Sequence, residues 1–276
     1  MPISAEARGW GRNIIKTISE EENKEINFLR NDFLRLMHGR STESSLDKFI
    51  EKLVMNRSVI ISGGWWKQNN IFNSWLITTS GSKWETDWEN NEIESDIEFS
   101  AFIFSKTSSG TQIRHPNYMI PKSLAFNLHA LGRLWERSPK VRNLNMINLK
   151  RLLLYTYELY ILTDNYILKD ISNKSKNITC VPSHFDLNGL FYLNEKDFQI
   201  KKDLNKTENK SDFNAGIHKI GLCRTFLSYD SLNDKNIGDD YGIKDLYNKI
   251  GMDYIWPYIF GCSDYSKIKS INRFIK

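Results

Sequence analysis

The sequence predicts an α+β protein: an N-terminal helical hairpin with a small antiparallel sheet, then a helix-rich second half with a minor β element. Three observations carry this. Apolar residues recur at helical spacing near the N-terminus and again after residue 121, the segments between 57 and 104 are short, β-branched or aromatic, and strand-like runs return at 178–200. The polar, Gly-containing segment SKTSSGTQIRHPN separates two expected units, 1–110 with the hairpin and sheet, and 118–276 with a basic helix pair and the second β element.

In chain order, Ser19 and Glu22 have capping-box spacing, and Ile26, Leu29, Phe33, Leu36 and Met37 share one helical face up to Gly39. Ser44 and Asp47 offer a cap for a second helix whose stripe is Leu46, Phe49, Ile50 and Leu53. RSVIIS, NSWLITTS and SDIEFSAFIF read as antiparallel strands. In the last, Ile97, Phe99, Ala101 and Ile103 take one face, so Asp96, Glu98 and Ser100 are expected to meet water. Pro121 suits a first helical turn, and Leu124, Leu128, Leu131 and Trp135 step by four, three and four. A further helix spans about 145–161. NITCVP and GLFYLNEKDFQI are expected strands, residues 201–216 a polar loop, and IKDLYNKIG a short helix.

The N-terminal stretch has no apolar signal-peptide core and no segment reaches the roughly 18 apolar residues of a membrane span. Three cysteines are too few for a disulfide framework in this length. A cytoplasmic protein away from membranes is expected. The Asn, Lys and Ile content fits AT-rich coding DNA, such as that of mobile elements.

Charge is unevenly placed. The chain carries a net +5, yet Pro121 to Arg151 alone holds seven Lys and Arg against one Glu. Arg133, Arg137, Lys140, Arg142, Lys150 and Arg151 are the candidate phosphate contacts, and nucleic acid, duplex DNA above all, is the expected partner. The bland reading is a solvated helix surface. A second reading assigns the acids Glu85 to Glu98 to a metal-dependent nuclease acting as a toxin or defence effector, although no lysine follows at the usual strand spacing. A third makes the layer containing Trp65, Trp66, Trp75, Trp84 and Trp88 a docking surface for a protein, against a core role for Trp75. Cys180 with His184 and His218 with Cys223 are spaced unlike zinc fingers, and no phosphate loop or nucleophile elbow occurs, so no metal or other cofactor is expected.

The order NSWLITTSGSKWE, SDIEFSAFIF and IPKSLAFNLHALGRLWERSPKVRNLNMINLKRLLLYTYEL resembles the region preceding the catalytic domain in phage-integrase-type tyrosine recombinases, over residues 74–163. The resemblance implies a helical module that clamps duplex DNA. It does not carry catalysis with it: Arg224 lacks the family's preceding His, Cys262 stands where the family has His, and Ile271 where it has Tyr. What the resemblance implies is a DNA-binding relative that does not cut.

Overall fold

The computed structural model describes residues 2–38, 42–85, 93–107, 123–169, 180–199, 217–232, 234–259, 262, 266 and 268–272. The fold is α+β. Its helices are α1 (Ala5–His38), α2 (Glu43–Asn56), α3 (Leu128–Arg137), α4 (Met146–Lys169), α5 (Asp234–Ile250) and α6 (Ile255–Ile259). Its strands are β1 (Ile60–Gln68), β2 (Ile71–Glu85), β3 (Ile93–Thr107), β4 (Ser123–Asn127), β5 (Cys180–Pro182), β6 (Gly189–Gln199), β7 (Ile217–Ser228) and β8 (Lys269–Asn272). They form one sheet in the order β5-β6-β7-β4-β3-β2-β1-β8. Only β4 and β7 run parallel. The expected division between residues 110 and 118 thus falls between β3 and β4, which are hydrogen-bonded neighbours. Most of 105–117, the run 201–216, Trp88 and Lys122 lie outside the described residues.

Each sheet face has its own core. One face gathers Trp75, Ile77, Ile97, Phe99, Leu124, Phe126, Phe191 and Phe226 beneath α1, α3 and α4. Phe99, Phe126, Phe191 and Phe226 meet edge to face with centroids 5.0–5.9 Å apart. Each such pair contributes about 0.5–1.5 kcal/mol beyond its area. The other face packs Trp65, Phe72 and Leu76 against Leu46, Ile50, Leu53 and Val54 of α2. The two N-terminal helices therefore cover opposite faces of the sheet rather than forming a closed pair.

Several local expectations change for physical reasons. Ser19 lies inside α1, which begins at Ala5; Ser19 packs on Gly81, and the Glu22 carboxylate accepts the Gly81 N–H at 3.1 Å. Thr42, not Ser44, caps α2, in a reciprocal box with Ser45. Leu124 is in a strand, because residues 123–127 pair with β3 on one side and β7 on the other. The helix begins only after Asn127, whose side chain accepts the Ala130 N–H at 2.8 Å. Residues 217–228, not expected to be regular, form a strand with neighbours on both sides.

The tryptophan-rich stretch is largely core. Trp65, Trp66 and Trp75 are buried, and Trp65 donates its indole N–H to Asp47 at 2.8 Å. Gly64 lies between them on a strand where a β-carbon would collide with the Trp75 ring and the Lys269 carbonyl, so this position requires glycine.

Candidate nucleic-acid interface

The basic segment spans the last turn of α3, the 3₁₀ turn Pro139–Asn143 and the first turn of α4. Arg137, Lys140, Arg142 and Arg151 are exposed along it. Arg137 donates to the Phe226 carbonyl at the end of β7 at 2.5 Å, which ties α3 to the sheet. The Arg142 guanidinium lies 4.4 Å from the Trp135 ring centroid and donates to the Trp135 and Glu136 carbonyls. Lys140 faces Asp186 at 3.8 Å, both side chains remaining more than half exposed. Such an exposed, distant pair is weak and readily exchanged.

Two of the six candidates stand apart. Lys150 is buried, and its ammonium donates to Glu21 at 2.5 Å and to the Ser58 carbonyl at 3.2 Å. It joins α4 to α1 and to the entry of β1, where Glu25 also accepts the backbone N–H groups of Ser58 and Val59. The sequence reading counted its charge without seeing that one turn of α4 points both inward and outward. Arg133 is half-buried and its guanidinium donates to Glu136 at 2.7 Å.

One residue escaped the sequence reading. His129 precedes Arg133 and Arg137 by four and eight residues on α3, so the three share a helical face. Its pKa is held below the usual imidazole value by burial first and then by the Arg133 guanidinium, with Arg137 adding to the effect and Glu136 opposing it. The i, i+4, i+8 spacing was the available signal, hidden because residues 121–135 read as one longer helix.

Beside the basic segment lies the loop that joins β5 to β6. It is stitched by bonds from the Ser183 N–H and hydroxyl to the Gly189 carbonyl, from the Leu187 N–H to the His184 carbonyl, and by a left-handed Asn188. His184 accepts the Asp186 N–H on Nδ1 at 3.2 Å, which assigns the neutral ring's hydrogen to Nε2. Its ring packs edge-on to Tyr155 at 4.9 Å. Burial is the largest influence on its pKa and lowers it; Asp186 raises it, and Arg151, Lys244 and Lys140 lower it further.

Behind this surface, Glu158 of α4 is wholly buried. Its carboxylate accepts from the Tyr247 hydroxyl at 2.6 Å and the Trp256 indole N–H at 2.9 Å, holding α5 and α6 to α4. Burial pushes its pKa up to about 7 against the lowering effect of those two donors. Lys244, also buried, donates to the Tyr229 hydroxyl at 2.8 Å.

The acidic strand departs from expectation. Asp96 is fully buried and Glu98 largely so, with Glu98 and Ser123 both bonded to the Ser100 hydroxyl. Alternation along β3 does mark two faces, but both faces of this strand are covered, so neither is a water face. Burial raises the Glu98 pKa. Among the described residues no three His, Cys, Asp or Glu side chains gather where a metal ion would sit, and Cys223 is sealed in the core. Among them, too, no helix is long and apolar enough to cross a membrane.

Comparison with protein-family models, with curated proteins and with solved structures found no match to this chain.

Proposed function

We propose that the chain binds nucleic acid, duplex DNA foremost, in the cytoplasm, with Arg137, Lys140, Arg142 and Arg151 meeting backbone phosphates. The observation that carries this reading is that these four cations are exposed on consecutive turns while the nearby His184 registers the positive field of Arg151, Lys244 and Lys140. A surface of that kind releases counterions from a polyanion. The same turns fall inside residues 74–163, the stretch that resembles the DNA-clamping region of tyrosine recombinases. Phosphate contacts of this type position a protein on its target and leave sequence selection to other groups.

The test is the salt dependence of binding, measured by fluorescence anisotropy on duplex DNA, single-stranded DNA and RNA. Each phosphate neutralised contributes a slope of about −0.9 in log K against log salt. Changing Lys140, Arg142 and Arg151 together to Ala is expected to weaken binding and make the slope shallower by roughly 2–3. An unaltered slope in the folded triple variant contradicts the proposal.

A second reading, phosphodiester cleavage, is favoured by one observation. His129 is neutral near pH 7 and lies beside two guanidiniums, which is a suitable setting for proton transfer next to a phosphate. Expected under this reading is cleavage that survives EDTA and falls about 100-fold or more in His129→Ala. EDTA-sensitive cleavage unaffected by that substitution would refute it.

A further inference from the structure

We propose that His184, Arg151 and Lys140, backed by Lys244, form a seat for a single phosphate group at one end of the basic edge. The inference rests on the nucleic-acid reading for the source of the phosphate, but the seat itself follows from local geometry. The groups come from four separate elements. Arg151 stands on the first turn of α4, Lys140 on the 3₁₀ turn, His184 on the β5–β6 loop and Lys244 on α5. All three cations act on the one imidazole, and Asp186 is the only carboxylate among its named electrostatic neighbours. Convergence of this kind distinguishes the place from charges strewn along a helix, each of which sees mostly water.

The loop is built to hold its shape. Ser183 is fully buried and bonded to Gly189, and the 3₁₀ turn Phe185–Leu187 closes beneath His184. With Nδ1 engaged by the Asp186 N–H, the imidazole presents Nε2–H as a donor, and the edge-on Tyr155 ring limits the angles it can take. Tyr155 itself packs on Tyr247 at 4.5 Å, which continues the support to Glu158. Lys140 and Asp186 meet across the mouth at 3.8 Å with exposed side chains, a bond that an arriving dianion can replace. Arg151 supplies the planar fork that matches phosphate oxygens. The buried Lys244 adds charge from below while it donates to Tyr229.

A phosphate placed there stabilises the imidazolium form. The groups facing the ring are Arg151 and Tyr155 from α4, Lys244 from α5, Lys140 from the 3₁₀ turn and Asp186 from its own loop. Of these, only Asp186 carries the negative charge that favours the protonated ring, so an added dianion has a large share in setting its titration. Binding should therefore couple to protonation, each strengthening the other.

The experiment follows the side-chain nitrogens of His184 by long-range ¹H–¹⁵N correlation in the full chain. The protein is titrated with inorganic phosphate, and then with an oligonucleotide carrying or lacking a 5′-terminal phosphate. Expected is a saturable shift of the His184 signals and an upward move of their titration midpoint with phosphate, both lost in Arg151→Ala and retained in part by Arg151→Lys. A response to both oligonucleotides identifies a backbone phosphate as the occupant. A response to the phosphorylated one alone identifies a strand end. Should inorganic phosphate give only a linear drift that Arg151→Ala shares, the seat does not exist. Nucleic acid that binds while the His184 signals stay still removes the seat and leaves the wider reading standing. Phosphate that saturates His184 while no nucleic acid binds upholds the seat and removes the wider reading.

Discussion

Replacing Lys150 by Met is expected to lower the stability of the fold by about 2–4 kcal/mol, while the same change at its neighbour Arg151 is expected to stay within about 0.5 kcal/mol. The two residues adjoin in sequence and differ in everything else. Lys150 is 4% exposed and bonds both a carboxylate of α1 and the Ser58 carbonyl; Arg151 is on the surface. Removing the ammonium leaves Glu21 and the carbonyl without the donor that justified burying them. Because the Glu21 side chain keeps 27% of its exposure, water recovers part of that cost, which places the effect below that of a fully buried pair. Urea unfolding measures the first effect and nucleic-acid binding the second. Lys150→Met should unfold early yet bind with the parent's affinity at temperatures where it is folded, and Arg151→Ala should do the reverse. Two variants that fall together on both measurements would mean that Lys150 does not serve as an internal tie.

The second large effect is on pH dependence. Glu158 has an ordinary carboxylate pKa of 4.5 in the unfolded chain and about 7 in the fold, raised by burial. The folded state therefore binds the proton more tightly. The stability that this supplies is complete below about pH 4.5 and is lost as the pH rises through 7. Glu158→Gln keeps an acceptor for Trp256 and offers an amide to Tyr247, and it cannot ionise. The variant is expected to match the parent near pH 5 and exceed it near pH 8 by about 2–3 kcal/mol, the free energy equivalent of the shift. Denaturant melts at the two pH values decide it. An equal difference at both would mean that the carboxyl titrates normally.

What the sequence revealed follows from how locally each feature is determined. The α2 stripe of Leu46, Ile50 and Leu53 and the strands around Trp75 and Phe99 were legible because one apolar face per element is a local pattern. The place of Leu124 was not. Its spacing to Leu128 and Leu131 fits a helix, and only the backbone bonds supplied by β3 and by β7, roughly a hundred residues later, make it a strand. Asp96 and Glu98 were read as solvent-facing for a related reason: alternation reports that two faces differ, and says nothing of whether both are covered. At the basic edge, composition revealed an excess of cations, but not that Lys150 turns inward to Glu21 or that Lys140 and Arg151 meet His184. Those are meetings between distant segments, and no window of sequence contains them.

The pairing of β1 with β8 has a consequence for how the molecule assembles. The partner of Gly64 is Ser270, so one side of a strand made early is completed by residues synthesised on the order of two hundred positions later. Closing that flank demands that nearly the whole chain has left the ribosome. Until then β1 presents a bare rim of amide and carbonyl groups, the kind of margin on which another nascent copy can alight. Shortening the chain ahead of Lys269 would make that vulnerable interval permanent.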